Sequence, residues 1–134
     1  DACGRAFGEA MAFFPRHFPD RPFVAFGCTS WLLDPQFEAM LPETSNIYRF
    51  LLEYFLHPVT GARDADFYER VFGWNVKTLD DAPRETSLQR IVAGHIEQGG
   101  RWRNGGGFIL RDDLDWGARV YRRPGKVIGD GHAT

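Results

Sequence analysis

Residues 23–33, FVAFGCTSWLL, constrain the fold more than any other stretch. They are apolar at both alternating positions, follow a break at Pro15, Pro19 and Pro22, and end at Asp34-Pro35. A strand apolar on both faces is covered on both, so this one is expected to run mid-sheet between helices. Its second half is unusual for pure core. Along a strand Cys28 and Ser30 share one face, Thr29 and Trp31 the other. Folds that mix helices and strands place ligand sites at strand ends, which makes Cys28 and Ser30 cleft candidates. A small core thiol and a hydroxyl bonded to nearby backbone explain the same pair.

Around that strand, Phe7, Ala10, Met11, Phe14 and Phe18 fall at helical spacing, predicting a helix over 4–14 that Pro15 stops. Asp34-Pro35 caps a short helix carrying Phe37, Met40 and Leu41. Ser45 opens another, with Ile47, Phe50, Leu51 and Tyr54 as its apolar stripe. Residues 55–59 read as a short strand entering a turn at Thr60-Gly61, and 66–72 as a brief helix closed by Gly73. Thr86 and Gln89 have capping-box spacing ahead of Leu88, Ile91, Val92 and Ile96, and Gly99-Gly100 ends that helix. GGGFILRDDLDWGARVYRR then reads as a strand, a turn over 113–117 and a returning strand. The order predicts an α/β (α+β) fold, a mixed sheet flanked by helices that ends in a helix and a C-terminal β-hairpin. Residues 1–123 form one domain in this reading, and 124–134 a flexible tail.

The 134 residues suffice for one such domain, and their 15% aromatic content points to a bulky core or a broad apolar cleft. A net charge of −2 offers no basis for a nucleic-acid or polybasic membrane surface. No apolar run reaches the ~18–20 residues of a membrane span, so no membrane is expected. Cys3 and Cys28 are too few for a disulfide scaffold, which favours the reducing cytoplasm. The chain opens on Asp1 rather than methionine, as a domain from a longer protein would.

Catalytic candidates are diffuse. A cysteine nucleophile needs a base, and His17, His57 and His95 are available without a motif tying any of them to Cys28. His95 lies on the apolar stripe of its helix, as a satisfied, partly buried histidine would. Ser45, Asn46 and Arg49 open a helix whose free N–H groups suit an anion, although an ordinary cap with an Arg49–Glu53 surface pair accounts for them too. GGRWRNGGG combines glycine with Arg101 and Arg103, but no Lys-Ser/Thr and no helix follow it, so it is not a phosphate loop. Metal-ligand spacing is missing, and no metal is expected.

Taken together, FFPRHFPDRPFVAFGCTSWLLDPQFEAMLPETSNIYRF and TSLQRIVAGHIEQGGRWRNGGGFIL resemble the GNAT-like C-terminal domain of bacterial acyltransferase proteins, over about residues 5–122. CTSWLLDPQ, LPETSNI, TSLQR and GGRWR carry the resemblance. It implies acyl-CoA as co-substrate, a small-molecule acceptor (an amine in such enzymes), and an N-terminal domain of the same protein as partner. In that setting strand 23–33 lines the acyl cleft, and Ser45, Asn46 and Arg49 take a phosphate or carboxylate. Glu43, Glu53 and His57 compete as the base. The family's pyrophosphate turn, Q/R-x-x-G-x-G/A, is matched by Arg5 to Ala10, inside an amphipathic helix rather than after a strand. Two other readings stay open: a non-catalytic module for ligand or interdomain binding, and a cysteine-dependent hydrolase.

Overall fold

The computed structural model describes residues 1–60 and 64–124, the side chains of 64–66 apart. Its elements are α1 (Ala2–His17), β1 (Ala25–Ser30), α2 (Phe37–Met40), α3 (Asn46–Leu51), β2 (Phe55–His57), α4 (Asp64–Phe72), α5 (Ser87–Glu97) and β3 (Gly105–Leu110). The mixed helix-and-sheet class is as the sequence predicts. Thr86 accepts from the Gln89 N–H, and the Gln89 side chain accepts from the Thr86 N–H, so α5 opens on the capping box. Gly73 and Gly99 sit at φ 107° and 84°, as residues closing helices do. Helix α1 runs three residues past its predicted end, through Pro15. The Phe18 N–H still reaches the Phe14 carbonyl at 2.9 Å, closing the turn around the proline.

Two expectations are corrected. The sheet order is β1-β3-β2, antiparallel throughout, so β1 lies at the rim of the described sheet and β3 in its middle. β3 begins Gly105-Gly106-Gly107, all buried. Glycine is needed there because neighbours crowd both faces. A Cβ on Gly105 would lie 1.8 Å from the Leu33 carbonyl oxygen, and one on Gly106 2.4 Å from the His57 ring. A strand without side chains has no hydropathy signal, which is why β1 takes the central place in a sequence reading. Second, no returning strand follows β3 among the described residues. Residues Arg111–Asp113 and Val120–Arg122 form 3₁₀ turns instead. The Tyr121 hydroxyl accepts the Leu110 N–H at 2.7 Å, occupying the ladder position a hairpin partner would have taken. Of the predicted tail, 125–134 falls outside the described residues, as does Gly61 of the predicted turn.

Two apolar clusters hold these pieces. The larger joins Phe37, Leu51, Leu52, Phe67, Val71, Val92 and Trp102. Trp102 stacks on Phe37 at 4.8 Å and on Phe67 at 5.1 Å, while its indole N–H donates to the Val92 carbonyl. The smaller joins Leu33, Tyr54 and Ile109, with Phe7, Cys28, Phe50 and Trp116 packed against them. Among the described residues no helix is long and apolar enough to cross a membrane.

Candidate functional site

A cavity of about 790 Å³ opens between the start of α1, one side of α3 and the loop after β3. That volume is within the ~300–1,000 Å³ of small-molecule sites. Leu32, Ile47, Phe50 and Trp116 make its apolar wall, and Asp1, Asn46, Arg49, Glu53 and Arg119 its polar one. Each is placed by local structure. Helical spacing puts Asn46, Arg49 and Phe50 on one side of α3, and the turn that follows carries Glu53. Leu32 enters from the 3₁₀ turn Trp31–Leu33 at the carboxyl end of β1. Trp116 is held by its indole N–H, which donates to the Asp1 carboxylate at 2.9 Å, and by ring contacts with Phe7 and Phe50 at 5.0 and 6.0 Å. Gly117 (φ 96°) turns the chain, and its N–H donates to Glu53 Oε2 at 3.0 Å, fixing a carboxylate only 7% exposed.

Arg119 has φ 49° and ψ 51°, a left-handed backbone that non-glycine residues rarely adopt. Such a residue costs ~1–3 kcal/mol and persists where the surroundings enforce it, commonly at ligand sites. With Arg49 it gives the cavity two guanidinium groups. Arg49 is oriented from behind, its Nε donating to the Glu43 carbonyl at 3.3 Å.

Of the residues singled out in the sequence, Asn46, Arg49 and Glu53 meet in this cavity. Ser45 is the residue before α3, but its hydroxyl makes no capping bond, and α3 is a six-residue helix. Glu43 is exposed. His57 lines a separate cavity of about 350 Å³ with Arg103 and Asn104, and its Nδ1 lies 3.1 Å from the Pro58 carbonyl. Ser30 lines a third, of about 560 Å³, with Trp31, Arg70 and Trp74, and its hydroxyl accepts the Leu32 N–H at 3.2 Å. Cys28 is half-buried in the smaller apolar cluster and lines none of these three cavities. Burial pushes its thiol above the ordinary range, the opposite of what a thiolate nucleophile needs. Iodoacetamide at pH 7.5 is therefore expected to label the exposed Cys3 at least ~10-fold faster than Cys28. Preferential labelling of Cys28 would restore the cysteine-hydrolase reading. His95 is half-buried against Trp102, as its apolar position implies, but its Nε2 has no partner, so the expected satisfaction is not met.

Trp116 and Arg119 are site residues that the sequence alone does not mark: Trp116 lies in RDDLDWG, which has the composition of a turn, and Arg119 stands two residues beyond it. One signal was there: a tryptophan amid aspartates has an apolar surface to cover. Among the described residues no group of three or more His, Cys, Asp or Glu could hold a metal ion.

The model of the GNAT-like C-terminal domain family matches residues 1–109. The chain belongs to that family. Asn46, Arg49 and Glu53 fall inside the matched part of this GNAT-like domain, whereas Trp116, Gly117 and Arg119 lie beyond it. Arg5 to Ala10, which fit the turn pattern, lie wholly within α1. The domain is similar to a solved acyltransferase mutant in complex with octanoyl-CoA, at 33% identity and a TM-score of 0.72, over 81% of this chain and 35% of that one. An acyltransferase in complex with CoA and 10C-teicoplanin matches with the same values. One in complex with decanoyl-CoA and teicoplanin is 34% identical, with a TM-score of 0.68, over 78% of this chain and 34% of that one. The chain thus spans about a third of the length of these structures. No curated protein sequence matches it.

Proposed function

We propose that this domain supplies the acyl-CoA site of an acyltransferase that moves an acyl group to a small-molecule acceptor, an amine. The observation that carries this reading is the cavity itself: two guanidinium groups at an apolar wall, in a family whose solved relatives hold CoA and its thioesters. Arg49 and Arg119 bind the donor's anionic part, since a guanidinium suits phosphate by charge and by geometry. Asn46 adds an amide. Leu32, Ile47, Phe50 and Trp116 receive the uncharged portion of the donor.

The reaction needs a base to take a proton from the amine as it attacks the thioester carbonyl; the carbon–sulfur bond then breaks and the thiolate leaves. Of Glu43, Glu53 and His57, Glu53 is the one in this cavity, and it is the base in this reading. One oxygen is tied to the Gly117 N–H, leaving the other to accept a proton.

Calorimetry of acyl-CoA binding to the complete gene product tests the site. Arg49→Ala and Arg119→Gly are each expected to weaken binding about 10-fold, one charge-assisted contact apiece. Arg119→Gly also relieves the left-handed backbone, so its thermal stability is expected to hold or rise by up to ~1 kcal/mol, separating lost binding from lost fold. Glu53→Gln, which keeps an acceptor for Gly117, is expected to lower kcat ~100-fold or more at unchanged donor affinity. Absence of any CoA-thioester binding would sink this reading in favour of a non-catalytic module. The placement of Arg5 to Ala10 inside a helix favours that alternative.

A further inference from the structure

Helix α1 is 16 residues long and buries none of them. An amphipathic helix stays attached to a domain by burying its apolar stripe, and here only part of the stripe is used. Phe7 packs on Phe26 and Trp116, and Phe14 on Phe23. Phe13, Phe14 and Phe18 remain 49%, 40% and 46% exposed, and Val24, just before β1, 75% exposed. Phe13, Phe14 and Phe18 form one contiguous aromatic surface, with Phe13 against Phe14 at 5.6 Å and Phe14 against Phe18 at 6.2 Å. Contiguous exposed apolar surface of this kind marks an interaction site.

The same corner of the fold has an open sheet edge. The Arg111 N–H donates to the Val24 carbonyl at 2.8 Å, which sets the phase of the antiparallel ladder. Phe26, Cys28 and Ser30 therefore direct their backbone groups at β3, while Ala25, Gly27 and Thr29 direct theirs outward. β1 pairs with no other described strand. A flat edge with free amides is a template for another strand unless it is blunted, and Ala25 and Gly27 carry neither charge nor bulk to blunt it.

We propose that the Ala25–Gly27 edge of β1 and the Phe13, Phe14 and Phe18 surface together seat a β-strand and its apolar side chains, contributed by polypeptide outside this domain. The source is the same protein. About two-thirds of the chain in each matching structure lies outside the part this domain covers, so polypeptide is at hand without a second molecule. Backbone pairing supplies the attachment and the aromatic surface fixes which face of the incoming strand is apolar.

Amide hydrogen exchange on the complete gene product tests this, with an internal reference. The outward Ala25 and Gly27 amides are expected to be protected to within about 10-fold of the inward Phe26 and Cys28 amides. Exchange of Ala25 and Gly27 at the rate of free amides overturns the proposal. Protection that falls on dilution also overturns it, because it assigns the edge to a second copy of the chain. A variant with Phe13→Ser, Phe14→Ser and Phe18→Ser is expected to speed Ala25 and Gly27 exchange at least ~10-fold while Phe26 and Cys28 stay protected. If all four amides lose protection, the variant has unfolded, and Phe18→Ser alone provides the comparison. Unchanged exchange in that variant overturns the role of the aromatic surface. No measurement here involves acyl-CoA, so failure of the donor reading and failure of this one are separable.

Discussion

Gly105→Ala is expected to remove much of the domain's folding stability. The methyl group would stand 1.8 Å from the Leu33 carbonyl oxygen and 2.4 Å from its carbonyl carbon, both backbone atoms in a turn of rigid geometry. Relief requires separating the 3₁₀ turn Trp31–Leu33 from β3. That separation breaks the Ser30–Gly105 end of the ladder and uncovers Leu33, which is fully buried. A cost above ~4 kcal/mol follows, against the ~5–15 kcal/mol that holds a typical domain together. Gly27→Ala provides the contrast. It lies on the rim strand with nothing within 4 Å of its would-be Cβ, and its expected change is within about 0.5 kcal/mol of zero. Urea unfolding of the two variants reads both. A Gly105→Ala protein with a near-native midpoint would contradict the close approach of the turn to β3.

Asp34→Ala carries the second large effect. Asp34 is fully buried, and its carboxylate is satisfied by donors from two distant parts of the chain. Oδ1 accepts the Gln36 N–H at 3.1 Å, Oδ2 accepts the Arg103 N–H at 3.0 Å, and the Gln36 amide nitrogen donates to both oxygens. That amide also donates to the Arg101 carbonyl at 2.9 Å, so one network ties the start of α2 to the strand-bound segment after α5. Alanine removes the acceptors and leaves the Arg103 and Gln36 N–H groups unpaired in a part-buried site. Each orphaned group costs ~1–3 kcal/mol, so the total is about 3 kcal/mol and the melting temperature falls by roughly 10 °C. Asp34→Asn places a second NH₂ against these donors and is expected to lose about half as much. A thermal scan in which Asp34→Ala melts within 3 °C of the parent would show that the network contributes no net stability.

Local devices account for what was legible in this chain. The capping box of Thr86 and Gln89, the glycines after α4 and α5, and the apolar stripes each act over three or four residues, so neighbouring letters suffice to read them. Asp34 was half legible. Its cap to Gln36 is local, whereas its bond to Arg103 joins residues 69 positions apart. The candidate site divides in the same way. Asn46 and Arg49, as anion-site candidates, and Glu53, as a candidate base, lie within eight consecutive residues and are legible in the sequence, although an ordinary cap and surface pair explain them too. Trp116 and Arg119 come from a stretch composed like a turn, and only folding brings them to the same cavity.

Hydropathy, caps and breakers determined the mixed helix-and-strand class, most element positions and the family resemblance. The order of strands was decided by tertiary structure alone. Three glycines have no side chain to reveal that backbone and rings press on them from both sides, so the middle of the sheet was the part the letters concealed. The same holds for β1: its apolar residues announce burial, but at the rim they are only partly covered, and how far depends on contacts between distant segments.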